Sequence, residues 1–243
     1  MSLVRWPHPV IQCTGTRPPM QEDHDVSTTS TSSGSGSDDV AAVLARLGSA
    51  TIGESGGWAA DRRLRPAWPG ATLAAPAYPV GCTPGDNLAV HVAVTTAPRG
   101  SVLVVDVGQV ADRGYWGEVL TTAAEAAGLA GLVLDGGVRD VAALEAHGFP
   151  VFSATIALTG ATKDKPGTVG VPVRVGGVEV STGDWVVADI DGVAFVPGDA
   201  LDDVLAAGRE RESKEAGFFE ALKSGSTTVG LLGLDASLVR EGQ

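Results

Sequence analysis

The centre of the chain alternates short, wholly apolar runs with longer segments whose apolar residues recur at helical spacing. Continuous apolar runs are typical of strands buried on both faces, and strands that alternate with helices form mainly parallel sheets. The helical segments each close at a glycine, a common C-terminal signal. We therefore predict βαβ units with strands at 102–107, 131–135 and 150–154 and helices at 115–128 and 140–148.

The preceding segments extend this pattern. Asp39 is a favourable N-cap for a helix over 40–48, which its final glycine is expected to end, and residues 70–80 predict a strand. Residues 88–97 leave two structures open. They alternate like a strand, but they would also form a helix capped by Asp86.

Towards the C-terminus the pattern becomes antiparallel. Residues 171–180 predict a hairpin around Gly176-Gly177, and residues 184–197 predict a second hairpin with a type I′ turn at Asp191-Gly192. A long helical segment follows over about 199–223. The predicted fold class is therefore α/β, with a partly parallel central sheet followed by C-terminal hairpins and a helix.

The N-terminal segment differs in composition from the rest of the 243-residue chain. Residues 22–39 are polar and of low complexity, so they cannot bury enough apolar surface to offset the entropy lost on ordering. We expect residues 1–39 to be a flexible extension and residues 40–243 to be a single domain. Hydrophobic residues make up 44% of the chain, which is enough for a sizeable core.

The formal net charge of −12 argues against nonspecific binding to nucleic acids or acidic membranes, which requires a basic surface. No apolar run is long enough to cross a bilayer, and the first residues lack the apolar core of a signal peptide. Two cysteines form neither a disulfide framework nor a zinc motif. These observations predict a cytoplasmic protein.

Charged side chains lie where two predicted strands end and two helices begin, which is where open α/β sheets bind ligands. Glu118 lies in the first turn of one helix, and Arg139 and Asp140 lie at the start of the next. Arginine suits a carboxylate or phosphate, and carboxylates are hard ligands for Mg²⁺ or Mn²⁺. Ordinary helix capping by the two acids, with Arg139 at the surface, explains the same residues and remains open.

A further acid, Glu215, lies in phase with the apolar stripe of the last predicted helix rather than opposite it. Arg211, one turn earlier, would satisfy this carboxylate as a simple helix pair. The alternative is that Glu215 faces an interface that holds a cation.

Other residues give weaker signals. The chain contains no glycine-rich nucleotide motif and no nucleophile elbow. His91 and His147 are isolated and fit packing or surface positions. Lys163 and Lys165 lie in a loop without the buried surroundings that a Schiff-base lysine requires. The Gly85-Asp86-Asn87 triplet fits a turn or a helix cap, although it could also border a cleft.

Four stretches carry a family resemblance: GDN at 85–87, VLVVD at 102–106, WGEVLTTAAEAAGLAGLVLDGGVRD at 116–140 and GDWVVADIDGVAFVP at 183–197. Together they resemble the RraA-like family, which includes the regulator of ribonuclease E activity A and the aldolases that cleave 4-hydroxy-4-methyl-2-oxoglutarate or 4-carboxy-4-hydroxy-2-oxoadipate. The likeness covers about 40–225. Its most specific part is an acid, twenty intervening residues and Arg-Asp, which falls on Glu118, Arg139 and Asp140.

The resemblance implies a compact α/β/β sandwich similar to swivelling phosphohistidine domains, assembled into homotrimers or hexamers with clefts between subunits. It implies a metal-dependent (class II) aldolase that releases pyruvate, with oxaloacetate decarboxylation as a side activity. In that scheme Asp140 binds Mg²⁺ or Mn²⁺ directly. Glu118 of the same subunit and Glu215 of an adjacent subunit hold the metal's waters.

The same resemblance assigns the substrate contacts. Arg139 stabilises the enolate oxygen, and the backbone around Gly117, Val119 and Leu120 binds the substrate carboxylate. The family's aldolases carry aspartate where this chain has Glu118. One extra methylene would displace a water-bridged metal by about 1 Å, and misplacement on that scale can be costly for catalysis.

A second class of function remains open, because the family also contains regulators that inhibit a ribonuclease by protein contact. An acidic surface can dock on a basic, RNA-binding partner through charge complementarity. The combination of Glu118, Arg139, Asp140 and Glu215 favours an enzyme, since docking requires no metal site. A chain with neither role is the third alternative.

Overall fold

The computed structural model describes residues 35–240. Most of the predicted N-terminal extension, residues 1–34, lies outside this range. Helix α1 (Ser35–Glu54) begins at Ser35 rather than at the predicted cap Asp39. Gly48, which was expected to end this helix, interrupts it with φ 77° and ψ 163°, and the chain then re-enters a helix up to Glu54.

The strands form one ten-stranded mixed sheet and one two-stranded hairpin within the described residues. Their bounds are β1 (Trp58–Ala59), β2 (Arg65–Pro66), β3 (Leu73–Cys82), β4 (Val102–Asp106), β5 (Gly114–Trp116), β6 (Gly131–Val138), β7 (Val151–Ile156), β8 (Gly167–Val169), β9 (Val173–Val175), β10 (Val178–Val180), β11 (Trp185–Asp189) and β12 (Gly192–Val196). The main path runs β1-β12-β11-β3-β4-β6-β7-β2, while β5 pairs with β6 and β8 pairs with β3. Strands β3, β4, β6 and β7 are parallel, as the apolar runs predicted.

Helices cover both faces of the sheet. The helices after α1 are α2 (Leu88–Thr96), α3 (Glu118–Ala127), α4 (Val141–His147), α5 (Leu201–Lys223) and α6 (Thr228–Leu232), with 3-10 turns at Gly198–Ala200 and Ala236–Leu238. Residues 88–97, which fitted two patterns, are mainly helical. Asp86 Oδ1 accepts a hydrogen bond from Leu88 N at 2.8 Å, and the buried face of α2 packs on the sheet.

The core lies on both sides of the parallel strands. Along β4, Leu103 and Val105 face the helices α2, α3 and α4, whereas Val102 and Val104 face the hairpin β9–β10 and strands β11–β12. A third cluster joins α1 and α5 to β11 and β12. Because each fully buried aliphatic side chain contributes about 1.5 to 3 kcal/mol, these three clusters stabilise the packing of the helices and hairpins on the sheet.

Two further local predictions were wrong. The helix predicted from residue 115 begins only at Glu118, because Tyr115 and Trp116 are buried in β5, which pairs parallel to β6. In the last hairpin Asp189 pairs with Gly192, so the turn residues are Ile190 and Asp191. Neither of them has positive φ, so the turn is not type I′.

Helix α5 extends beyond the core. Its buried residues are Val204, Leu205 and Gly208, and no residue from 209 to 240 is buried. Phe219 is 55% exposed and Leu238 is 82% exposed. No helix within residues 35–240 is both long and apolar enough to cross a membrane.

Candidate active site at the carboxyl ends of the central strands

The starts of α3 and α4 are joined by direct hydrogen bonds at the carboxyl ends of the central strands. Asp140 Oδ2 accepts from Glu118 N at 3.1 Å, and Arg139 N donates to the carbonyl of Trp116 at 2.9 Å. Trp116 is itself fixed, since its ring stacks on Phe149 at 6.1 Å between ring centroids. The structure therefore brings Glu118 and the Arg139-Asp140 pair into one corner, although they lie far apart in the sequence.

Asp140 holds an unusual backbone conformation. Its φ of 57° and ψ of 34° make it the one non-glycine residue with positive φ within the described part of the chain. Such a conformation costs on the order of 1 to 3 kcal/mol and is frequent at functional sites. The Asp140 carbonyl starts α4 by accepting from Ala143 N and Leu144 N, but its carboxylate reaches α3 instead of capping α4. Ordinary capping of its own helix therefore does not explain the side chain.

Two glycines form the floor under this pair. A Cβ added at Gly117 would lie 2.4 Å from Asp140 Oδ2 and 3.1 Å from Arg139 Cγ. A Cβ added at Gly114 would lie 2.7 Å from the Ala157 carbonyl oxygen and 3.1 Å from Arg139 Cδ. The Arg139-Asp140 pair can lie against β5 only because both floor positions lack a side chain.

The guanidinium of Arg139 is available to a ligand. Its side chain is 46% exposed, and its Nε lies 3.7 Å from Asp140 Oδ2, a distance too long for a hydrogen bond. No protein group within residues 35–240 accepts a hydrogen bond from this guanidinium. Arginine presents its donors in a planar fork that matches a carboxylate or an enolate, so the corner can bind an oxyanion.

A cleft of about 220 Å³ opens beside this corner. Its walls include five residues that were singled out from the sequence: Gly117, Val119, Leu120, Arg139 and Asp140. The first turn of a helix has N–H groups without partners in the helix. The carbonyls of the two residues before the N-cap of α3 do not accept from these N–H groups. The Tyr115 carbonyl accepts from Asn87 Nδ2, and the Trp116 carbonyl accepts from Arg139 N.

Glu118 contributes its backbone to the corner, but its carboxylate does not line the cleft. Its side chain is 57% exposed, and its Oε1 lies 3.8 Å from His147 Nε2. The other ring nitrogen of His147 lies 2.8 Å from Glu125 Oε2. His147, expected at a packing or surface position, thus joins the end of α4 to both acids of α3.

Three other residues that line the cleft were not selected from the sequence as site residues: Asn87, His91 and Lys163. We call them the Lys163 wall. Asn87 and His91 lie on or beside α2, whereas Lys163 lies in the loop between β7 and β8. The signals available in the sequence were the Gly85-Asp86-Asn87 triplet and the Lys163 loop, but spacing alone does not show that they meet.

Hydrogen bonds to the Asp86 side chain explain why Asn87 and Lys163 lie close together. Asp86 is 1% exposed, and its Oδ2 accepts from Asp164 N and Thr162 Oγ1, both at 2.7 Å, and from Lys165 N at 3.2 Å. Burial acts to raise the pKa of Asp86, but the donors from Leu88, Asp164, Thr162 and Lys165 hold that pKa well below its ordinary value. The charged carboxylate therefore fastens the loop to the start of α2.

Glu215 lies apart from the cleft of its own chain, whose lining includes no residue of α5 among those described. Its Oε1 accepts from Arg211 Nε at 2.8 Å, and Arg211 also pairs with Glu54. The helix-pair explanation therefore holds within one chain. The expected role at a neighbouring subunit stays a prediction.

The acids of the corner fit a hard cation in part. Residues 35–240 contain no group of three or more histidine, cysteine, aspartate or glutamate side chains placed to bind a metal. Mg²⁺, however, commonly takes one or two carboxylates and completes its shell with water and substrate oxygens. Asp140, exposed at the cleft, provides one such carboxylate, whereas the Glu118 carboxylate lies nearer to His147 and does not line the cleft.

Comparison with known proteins agrees with this architecture. The RraA-like (Aldolase/RraA) family model matches residues 44–195. A Halalkalibacterium halodurans protein named "Putative 4-hydroxy-4-methyl-2-oxoglutarate aldolase" is 34% identical over 140 residues, which are 58% of this chain and 67% of that protein.

Two solved structures share the fold. An uncharacterized protein from Pseudomonas syringae pv. tomato matches with a TM-score of 0.70 and 26% identity, covering 80% of this chain and 96% of that one. The RNA-processing inhibitor RraA from Thermus thermophilus matches with a TM-score of 0.54 and 29% identity, covering 58% of this chain and 86% of that one. The α/β fold class and the family resemblance are thereby confirmed, and the chain belongs to the RraA-like family.

Proposed function

We propose that this protein is a divalent-metal-dependent (class II) aldolase. Its substrate would be a 4-hydroxy-2-oxo di- or tricarboxylic acid, such as 4-hydroxy-4-methyl-2-oxoglutarate or 4-carboxy-4-hydroxy-2-oxoadipate, and its products pyruvate and a second oxo acid. The observation that carries the proposal is the Arg139-Asp140 corner, where a guanidinium without a protein hydrogen bond faces a cleft beside a helix start. The name of the Halalkalibacterium relative supports the same reaction.

Asp140 would hold Mg²⁺ or Mn²⁺ directly and Glu118 would hold it through water, with Glu215 of the partner subunit as a third acid. When bound, the ion supplies positive charge that draws electrons towards the 2-oxo group of the substrate. The cleft offers no buried lysine for the alternative Schiff-base chemistry, because Lys163 is exposed.

The remaining steps belong to the residues of this chain. The backbone amides of Val119 and Leu120 bind the substrate's C1 carboxylate at the start of α3, where the helix dipole favours an anion. The C4 hydroxyl loses its proton to water beside the Asp140 carboxylate and becomes a carbonyl. The C3–C4 bond breaks, its electron pair forms the pyruvate enolate, and Arg139 stabilises the enolate oxygen. Protonation at C3 then gives pyruvate.

Oxaloacetate decarboxylation would pass through the same enolate, so we propose it as a side activity. Loss of carbon dioxide leaves the electron pair on C3, where Arg139 provides the same stabilisation of the enolate oxygen. No proton need be removed from a hydroxyl in this reaction.

The test is release of pyruvate, measured with a coupled assay in the presence of Mg²⁺. Arg139→Ala is expected to lower kcat about 100-fold or more, the usual loss when an oxyanion donor is removed. Asp140→Asn is expected to lower activity similarly while preserving the fold, because asparagine tolerates the left-handed backbone. Arg174→Ala, at an exposed arginine on β9, is the matched control and should retain full activity.

Three results would contradict the aldolase proposal. They are full activity in the Arg139 variant, full activity in the Asp140 variant, and wild-type turnover that persists unchanged in excess EDTA. Restoration of EDTA-treated enzyme by Mg²⁺ or Mn²⁺ is the expected positive result.

The second candidate function is a regulator that binds and inhibits a ribonuclease. The structural likeness to the RNA-processing inhibitor RraA and the net charge of −12 favour it. Two results together would favour this function over the aldolase. The wild-type protein would release no pyruvate from oxaloacetate or a set of 4-hydroxy-2-oxo acids, and it would capture a purified ribonuclease in a salt-sensitive manner.

We also propose that the protein forms homotrimers or hexamers. The exposed apolar residues of α5 and the segment after it support an interface, because such surface is usually covered by a partner. In an assembly of this kind Glu215, which lies apart from the cleft of its own chain, would face the cleft of a partner subunit.

A further inference from the structure

His147, the last residue of α4, lies between two acids of the neighbouring helix α3. Its Nδ1 is 2.8 Å from Glu125 Oε2, and its Nε2 is 3.8 Å from Glu118 Oε1. The two acids lie about two helical turns apart and therefore share one face of α3. A ring with an N–H group on each nitrogen attracts both carboxylates, so His147 joins the two helices through charged side chains.

The backbone and the carboxylate of Glu118 make contacts in different places. Its N–H donates to Asp140 Oδ2 at 3.1 Å, so its backbone belongs to the corner. Its carboxylate contacts His147 and does not line the cleft, although the residues on either side of it, Gly117 and Val119, both do. The direction of this one side chain therefore decides whether the cleft of one chain contains one carboxylate or two.

The contact between Glu118 and His147 is the weaker of the two contacts that the ring makes. At 3.8 Å it is too long for a hydrogen bond, and no other charged group within residues 35–240 lies at ion-pair distance from Glu118, whose side chain is 57% exposed. The ring is only 25% exposed and stays at hydrogen-bond distance from Glu125. Glu118 can therefore leave His147 by rotation of its own side chain, while the ring keeps its place.

A cation at Asp140 would give the Glu118 carboxylate a second possible partner. Mg²⁺ and Mn²⁺ commonly bind one or two carboxylates, and Mg²⁺ keeps several of its waters, so a nearby acid can support the ion through a water. The carboxylate cannot contact the His147 ring and support an ion in the cleft at the same time. The ring and the ion therefore compete for the same acid.

We propose that His147 is a positioning residue that competes with the divalent cation for the Glu118 carboxylate. The ring holds this acid outside the cleft, and the carboxylate turns into the cleft when a cation is bound at Asp140. The contact between α3 and α4 through Glu118 is thus present without the cation and lost with it. This inference rests on the proposed aldolase function, which takes Asp140 as the residue that binds the ion, and it adds a restraint that weakens cation binding.

The experiment measures binding of Mn²⁺ to the full chain without substrate. The loss of the electron paramagnetic resonance signal of free Mn²⁺ gives the dissociation constant at one fixed pH and ionic strength. Only binding that Asp140→Asn abolishes is counted, because a protein with a net charge of −12 also attracts cations elsewhere on its surface.

His147→Ala removes the competitor for Glu118. We therefore expect the dissociation constant of Mn²⁺ to fall about two- to fivefold, the range that release of an exposed ion pair allows. A purely structural role for His147 predicts the opposite, because a loosened α4 would hold Asp140 less well and bind Mn²⁺ more weakly. His147→Gln, which retains a donor for Glu125, should bind Mn²⁺ more tightly in the same way if alanine lowers the stability of α4.

Two further variants show whether the effect passes through Glu118. In a Glu118→Gln background, which lacks the competing charge, His147→Ala should change the dissociation constant by less than about 1.5-fold. Glu145→Ala is the matched control, because Glu145 is exposed on the same helix and makes no ion pair within the described residues. It should bind Mn²⁺ as the wild type does.

The failures of the two proposals are distinguishable. If the wild type binds Mn²⁺ through Asp140, but both His147 variants bind it equally or more weakly, the competition is wrong and the aldolase proposal stands. Tighter binding that persists in the Glu118→Gln background also contradicts the competition alone. If the wild type has no Mn²⁺ site that depends on Asp140, the metal-dependent aldolase proposal fails and the competition fails with it.

Discussion

At the residue scale, Asp140, a single residue with a strained backbone, links the starts of two helices. Its carbonyl begins α4, while its carboxylate accepts the first N–H of α3. Both contacts require the left-handed backbone and a floor without a side chain at Gly117. Because Gly117 has an extended backbone with φ −169°, any residue could adopt its conformation, so contact alone restricts the position to glycine.

Gly117→Ala tests this restriction. The added Cβ would lie 2.4 Å from Asp140 Oδ2 and must displace that carboxylate. We expect activity to fall at least about tenfold, because small displacements of catalytic groups are costly, and the free energy of unfolding to fall by about 1 to 3 kcal/mol. Pyruvate release and thermal melting measure the two effects.

The matched control is Gly53→Ala in α1, where the nearest atom to an added Cβ is 4.0 Å away. This variant should be as stable as the wild type or slightly more so, since alanine favours a helix over glycine. Wild-type activity in Gly117→Ala would show that the Asp140 carboxylate is not required where the structure places it.

At the scale of elements, Asp86 fastens the loop between β7 and β8 to the start of α2. Removal of its charge by Asp86→Asn leaves several donors without an ionised acceptor. We expect the free energy of unfolding to fall by about 1.5 to 3 kcal/mol at pH 7.

The pH dependence gives a second measure of the same contact. Because the pKa of Asp86 is lowered by folding, its stabilisation is complete above the ordinary value of 3.8 and is lost as pH falls towards the lowered pKa. Wild-type melting temperatures should therefore fall more steeply below about pH 4 than those of Asp86→Asn. Parallel curves for the two proteins would contradict this role for Asp86.

Most elements were predictable because their patterns are local. The apolar runs that became β4, β6 and β7 and the glycine-ended helices needed no tertiary information. Strand β5 was missed because Tyr115 and Trp116 continue a helical pattern, and only their pairing with β6 shows otherwise. The Lys163 wall was missed for a related reason: Asn87 and Lys163 meet through hydrogen bonds to Asp86 that no spacing rule reveals.

At the scale of the whole molecule, the second half of α5 is exposed. No described residue of α5 lines the cleft, so the position at which Glu215 acts is open to a test. If Arg139 and Glu215 complete one cleft from two subunits, two inactive variants can restore each other. Arg139→Ala and Glu215→Gln, mixed equally under conditions of subunit exchange, should recover about a quarter of wild-type activity, since one cleft in four pairs two intact contributions.

The control is the same mixture kept under conditions that prevent exchange, which should stay inactive. Wild-type protein carried through the exchange procedure shows whether the treatment itself preserves activity. A mixture that stays inactive after exchange, while the treated wild type remains active, would place Glu215 outside the partner's cleft. Full activity of Glu215→Gln alone would remove this residue from the proposed mechanism.

The hydrogen bonds of Asp86 have a consequence for how such proteins can diversify. The corner that would cleave the substrate belongs to the ends of the core strands, whereas the segment from 161 to 166 is attached to the domain mainly through the turn at 83–87. Exchange of that short segment between related chains can therefore change which acid is admitted without altering the apparatus that breaks its bond. A new substrate specificity would then arise by changes in this surface loop, with little effect on the stability of the core.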